Sequence, residues 1–268
     1  MTRKQWILAA TLTSLLALGV AGCSKKEETA SQEAAQPAKK AATPIDPATA
    51  GSISGAIAFA GAVPKANKID MGQDPACAAM QKGAVMAETY VVDNGNLANV
   101  FVYVKDGLGD RTFDVPAEPV TLDQSGCHYV PHVLGVMAGQ TVRILNSDNT
   151  THNIHPTPQA NREWNESQAP KAAPLDKTFP REEIMLPVKC NQHPWMKMYL
   201  NVVKNPFFAV SAKDGKFELK GLPPGEYTIA AVHEKLGEQT MKVTVGAKEA
   251  KTADFSFGEA AAGAGGQQ

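Results

Sequence analysis

Cys190-Asn191-Gln192-His193-Pro194-Trp195-Met196 decides how this chain is read, together with Asn146-Ser147-Asp148-Asn149-Thr150-Thr151-His152-Asn153 upstream of it. A thiol, an imidazole and a thioether stand on one short loop, and a second imidazole comes from a separate segment. One thiolate, two imidazoles and a thioether form the donor set of a copper electron-transfer centre, in which Cys and two His define a plane and Met approaches weakly along the axis. Pro194 tightens the loop and so favours Met196 over Met198 as the axial donor, with Met198 kept as the rival.

Around this loop the pattern is β throughout. Short runs rich in β-branched and aromatic residues, mostly alternating, predict strands over 53–59, 89–92, 100–104, 141–145, 199–203, 207–210, 217–219, 227–232 and 241–245. Turn signals such as Asp93-Asn94-Gly95-Asn96 and Pro223-Pro224-Gly225 separate them. One helix of about two turns is expected, over 75–82. Many short strands with regular turns predict an all-β chain of sandwich architecture.

Two family resemblances fit this frame. The run from Tyr129 to Asn146 and on to His152-Asn153 resembles the strands leading to the first ligand in plastocyanin-like cupredoxins, and Cys-x-x-His-Pro-aromatic-Met at Cys190 resembles the amicyanin type. The resemblance covers about 126–203. It implies a Greek-key β-sandwich binding one type 1 copper ion through His152, Cys190, His193 and Met196. It further implies that Asn153, and with it Asn191, stiffens the site, and that Pro194 and Trp195 form an apolar rim around an exposed His193 edge where a redox partner docks. His132 and His155 are possible extra ligands.

The stretch Asp214-Gly215-Lys216-Phe217-Glu218-Leu219 to Leu222-Pro223-Pro224-Gly225-Glu226-Tyr227 resembles the carboxypeptidase regulatory-like, or transthyretin-like, small β-sandwich. That motif is architectural. Residues 53–57 and 99–104 resemble the opening strands of the same module, which implies that the cupredoxin segment is inserted within it. Chains that combine the two resemble bacterial lipoproteins of the methylamine-utilisation type, a label that specifies no partner.

The remaining organisation follows from composition. Arg3, Lys4, an apolar run and Val20-Ala21-Gly22-Cys23 read as a secretory leader over 1–22 whose ending resembles a lipobox, so Cys23 is expected to carry a lipid. Residues 23–50, rich in Ala, Lys, Glu, Gln and Pro, read as a disordered tether with a reach of roughly 30 Å. Residues 51–125 are expected to hold the opening strands of the regulatory-like module, 126–205 the copper segment, 206–257 the rest of the module and 258–268 a disordered tail. Cys77 and Cys127 remain after Cys23 and Cys190 are assigned, and in an oxidising compartment their pairing is the simplest outcome.

A formal net charge of −1 without a long basic stripe argues against nucleic acid as a partner. The expectation is a monomeric, lipid-anchored periplasmic or cell-surface electron carrier that works between redox proteins and performs no bond chemistry. Copper storage, delivery or sensing, with Met185 and Met198 adding soft donors, is one alternative, and a metal-free adhesion sandwich is another.

Overall fold

The computed structural model describes residues 41–258. The expected leader 1–22, the lipid-bearing Cys23, tether residues 24–40 and tail residues 259–268 lie outside them. Nineteen strands and one short helix, Pro75–Met80, are present among the described residues. The chain is all-β. Tether residues 41–50 belong to the fold and not to a disordered segment: Thr43 N donates to Thr112 O at 2.8 Å, Lys248 N donates to Thr49 O at 3.0 Å, and Ile45 packs on a hydrophobic core. One apolar side chain with backbone pairing is enough to dock this stretch.

The strands form two sandwiches. In the first, Gly51–Ala60 pairs antiparallel with Lys216–Leu222 and parallel with Ala250–Thr252 and Phe255–Gly258, so the two ends of the described chain share one sheet. The hairpin Val92–Asp93 and Asn96–Leu97 extends this sheet, and Asn94 and Gly95 take positive φ in its turn, the conformation that an Asn-Gly hairpin supplies. The expected strand 89–92 is thus reduced to its last residue and Asp93. The facing sheet has the order Phe208–Val210, Phe101–Asp106, Gly225–His233, Gly237–Val245. Ile53, Ile57, Phe217, Ile229 and Phe257 fill the space between the two sheets.

The second sandwich has one sheet in the order Glu166–Gln168, His152–Pro156, Glu183–Lys189, Lys197–Val203, Val133–Met137, and another in the order Leu175–Thr178, Thr141–Asn146, Val120–Gln124, Tyr129–Val130. Leu122, Ile144, Ile154, Leu186 and Leu200 make its core. Its strands intervene in sequence between those of the first sandwich. The expected boundary at 125 is corrected, because Val120–Gln124 pairs in parallel with Thr141–Asn146, and Met71 and Cys77 also pack in this second core. The strand Glu183–Lys189 alternates only from Leu186 onward: before that its register shifts between Glu183 and Leu186, and Met185 takes positive φ.

The sandwiches meet across a shared layer. In Phe101-Val102-Tyr103-Val104 every residue is buried, with Val102 and Val104 facing the first core while Phe101 and Tyr103 face a third cluster with Val133, Val203, Ala230 and Val232. A strand covered on both faces reads as a continuous apolar run, which explains why alternation is lost here. Gly135 permits the close approach: a Cβ there would stand 2.6 Å from the Phe101 ring and 2.7 Å from the Phe208 ring. We predict that Gly135→Ala lowers stability by about 1–3 kcal/mol through overpacking. Urea denaturation of the variant beside the parent checks this, and an unchanged midpoint would mean that the joint yields.

Candidate metal centre

The residues singled out in sequence lie at one end of the second sandwich. Cys190 follows the strand Glu183–Lys189 and Met196 precedes Lys197–Val203, so the quoted loop joins two paired strands. It is closed by its own backbone: Cys190 N donates to Met196 O at 3.2 Å and Met196 N donates to His193 O at 2.9 Å. His152 opens the strand His152–Pro156, which lies beside Glu183–Lys189. Asn153, next to it, reaches across: its Oδ1 accepts from Asn191 N at 2.7 Å and lies 3.3 Å from Cys190 Sγ. Its Nδ2 donates to Asn165 Oδ1 at 2.7 Å, which fixes the amide.

Three donors converge. His152 Nδ1 and His193 Nδ1 are 2.9 Å apart, Cys190 Sγ is 3.6 Å from His193 Nδ1, and ligand atoms of all three residues lie within 4.8 Å of one another. They are 0%, 3% and 3% exposed for His152, His193 and Cys190. The far nitrogen of each imidazole meets a carboxylate: His152 Nε2 to Asp148 Oδ2 and His193 Nε2 to Asp74 Oδ2, both at 2.9 Å.

The electrostatics follow from these partners. Burial works to lower the pKa of His152, but the hydrogen bonds to Asp148 and Cys190 push it up to about 9. Burial works to raise the Cys190 thiol, yet His152 and the backbone donors around it bring it down to about 7. Asp74 is held below the usual carboxylate range, first by the hydrogen bond from His193. Asp148 also lies below it, because its donors outweigh the burial that would raise it.

Ionised carboxylates only accept, so each Nε2 carries a proton. His152, with its raised pKa, also carries one on Nδ1, which it offers to the lone pair of His193 Nδ1. A single proton thus sits between two imidazole nitrogens 2.9 Å apart beside an easily ionised thiol, the position that a metal ion would take on displacing it. The donor set therefore fits a borderline-soft metal ion, copper or zinc by its chemistry. The expected role for the outer hydrogen bonds is to orient the ligands and raise their basicity.

The other residues named in sequence are placed as follows. Met196 is fully buried beside the site loop. Met198 is also fully buried and lines an apolar void with Leu122, Ile144, Ile154 and Phe179. His132 bonds Glu234 Oε1 at 2.7 Å and lies 3.2 Å from Lys197 O, while His155 bonds Glu163 Oε1 at 2.7 Å and Asn191 Oδ1 at 3.0 Å. Neither shares a donor cluster with Cys190 among the described residues. Pro194 is exposed, and Trp195 is half-buried with its ring 5.2 Å from that of His193 and Nε1 donating to Cys127 O at 3.1 Å.

The expected exposed edge of His193 is corrected: Asp74 and Cys77, at the start of the short helix, cover it, with Cys77 Sγ 3.7 Å from Nε2. Asp74 and Asp148 were not foreseen as partners of the histidines. Asp74-Pro75 carries a helix-start signature, and Asp148 stands four residues before His152, but neither pattern names an imidazole.

Cys77 and Cys127 form a disulfide with a sequence separation of 50. It joins two amide cradles. Asp74 Oδ1 accepts from Ala76 N and Cys77 N at 2.7 and 3.1 Å, and Asp148 accepts from Gly126 N and Cys127 N at 2.6 and 2.7 Å.

No family model and no curated protein matches the chain. Among solved structures it is similar to a copper-containing nitrite reductase from Thermus scotoductus SA-01, at 22% identity and TM-score 0.31, over 37% of this chain and 25% of that one. It thus spans about a quarter of the reductase's length. It is also similar to a mutant amicyanin with Cu(I), at 22% identity and TM-score 0.29, over 33% of this chain and 86% of that one. A purple cupredoxin from Nitrosopumilus maritimus is 20% identical with TM-score 0.27, over 31% of this chain and 98% of that one. The donor geometry stands independently of these distant likenesses.

Replacing both disulfide cysteines, Cys77→Ala with Cys127→Ala, should lower stability by about 4 kcal/mol in the chain-entropy model for a loop of this length. Urea unfolding of the oxidised parent and the double variant measures the difference, and equal midpoints would show that the loop is held by its other contacts.

Proposed function

We propose that this chain is a type 1 copper protein of cupredoxin type, anchored by a lipid on Cys23 at the periplasmic or outer cell surface, that carries single electrons between redox proteins. Copper would supply the one-electron Cu(II)/Cu(I) couple. His152, Cys190 and His193 would hold it, with Met196 as the weaker fourth donor. The observation that carries this reading is the convergence of one thiol and two Nδ1 atoms whose histidines are already oriented by carboxylates.

Burial and outer hydrogen bonding favour electron transfer over bond chemistry. Donors at 0–3% exposure leave little access for a substrate at the ion, and groups fixed by Asn153, Asp74 and Asp148 would move little between two redox states. Pro194 and Trp195 offer the partner an apolar contact beside the site. In this proposal the metal-bearing sandwich is inserted in a regulatory-like sandwich, and the protein works as a monomer with an unidentified redox protein.

Adding Cu(II) to the purified metal-free protein, with Cys190 reduced and the Cys77–Cys127 bond intact, should give an intense visible band and reversible voltammetry. Cys190→Ser should abolish the band. Tight, colourless Cu(I) binding without a reversible couple would favour copper delivery, and no binding of either ion would defeat the metal reading.

A further inference from the structure

Asp74 divides its two oxygens between two tasks. Oδ1 caps the short helix Pro75–Met80 by accepting from Ala76 N and Cys77 N. Oδ2 faces His193 Nε2 at 2.9 Å and lies 3.4 Å from Thr150 Oγ1. The carboxylate comes from 119 residues away in sequence and is itself anchored, through the Cys77 amide and the Cys77–Cys127 bond, to the segment that holds Asp148. The side chains of His193 and Asp74 are 4% and 23% exposed, so water competes little for Nε2.

We propose that Asp74 is a positioning residue for the metal centre: by accepting from His193 Nε2–H it fixes the tautomer that presents His193 Nδ1 to the ion, and it closes the imidazole edge from solvent. The proposal rests on the copper reading for its consequence, but the tautomer is a property of the metal-free chain. A neutral imidazole has one N–H, and the hydrogen bond at one nitrogen decides whether the other can be a ligand. An acceptor at Nε2 leaves Nδ1 with its lone pair. A donor there would demand the lone pair at Nε2 and put the proton on Nδ1, where the ion belongs.

Asp74→Asn makes that exchange with little other disturbance. Asn caps a helix about as well as Asp, so Oδ1 can keep its bonds to Ala76 N and Cys77 N while an amide N–H replaces Oδ2. Asp74→Ser keeps a capping hydroxyl but withdraws any group from His193. If capping were the whole role of Asp74, the two variants would behave alike and close to the parent.

The test uses the full chain with its disulfide formed. In the metal-free parent, nitrogen-15 NMR of the imidazoles should show His193 protonated at Nε2, and Asp74→Asn should move that proton to Nδ1. With copper, Asp74→Asn should weaken Cu(II) binding by about ten- to a hundredfold, and Asp74→Ser should weaken it less. Cu(I) binding should suffer less than Cu(II), so the potential should rise by about 59 mV for each tenfold excess loss of Cu(II) affinity.

A parent whose His193 carries its proton on Nδ1 would overturn the proposal. So would an Asp74→Asn protein that is folded by far-UV circular dichroism yet unchanged in tautomer, Cu(II) affinity and potential. Should the parent bind no copper, the copper reading fails while the tautomer measurement still decides the role of Asp74.

Discussion

The disulfide between Cys77 and Cys127 covalently joins two short segments that also meet through Gln81 Nε2 donating to Gly126 O at 2.9 Å, and each segment offers backbone N–H groups to one carboxylate. Asp74 sits in the cradle of the Cys77 side and Asp148 in that of the Cys127 side. Each carboxylate then meets the outer nitrogen of one histidine, and the inner nitrogens are left facing one another beside Cys190. The staple lowers the entropy cost of bringing two negative groups and two imidazoles together out of water. With it, the desolvation of each charge is offset by amide donors held in place covalently.

The two sandwiches are stacked on a common layer and not linked as beads. Phe101 and Tyr103 fill one side of the strand Phe101–Asp106 and Val102 and Val104 the other, so this strand contributes to two cores. Its partner strand Gly225–His233 is used the same way, with Ile229 and Ala231 on one face and Ala230 and Val232 on the other. Just beyond that strand, Glu234 reaches His132, and burial that would raise its pKa is outweighed by this bond, which lowers it. The extra imidazole is thereby committed to the joint between the sandwiches. The candidate metal centre thus stands at one end of a sandwich that packs, through the third cluster, on the strands of the other sandwich.

Several features of the site were legible in the chain because they are local. The spacing of Cys190, His193 and Met196 is a property of one loop, and the loop's closure by Cys190 N and Met196 N needs no distant segment. Strands with alternating patterns, such as Lys216–Leu222, were also legible, because one face is buried and the other wet. The strand Glu183–Lys189 was not, since the bulge at Met185 interrupts it and Pro187 reads as a strand breaker, although residues Leu186 to Lys189 alternate between buried and exposed. Composition alone does not reveal that Ile45 finds a core to pack on, so the folded part begins earlier than the polar, Ala- and Pro-rich stretch suggests.

By itself the sequence determined the all-β class, the turn at Asn94-Gly95 and the donor types gathered at the Cys190 loop, all of which depend on neighbours a few residues apart. Only the tertiary structure decided that Asp74 would cap His193, that Asp148 would hold His152, and that the imidazole edge would be covered and not open. The reason is physical. Side-chain periodicity states which face of a strand is dry and which residues can serve as donors, but the partner of a buried polar group is chosen by the packing of segments far apart in the chain.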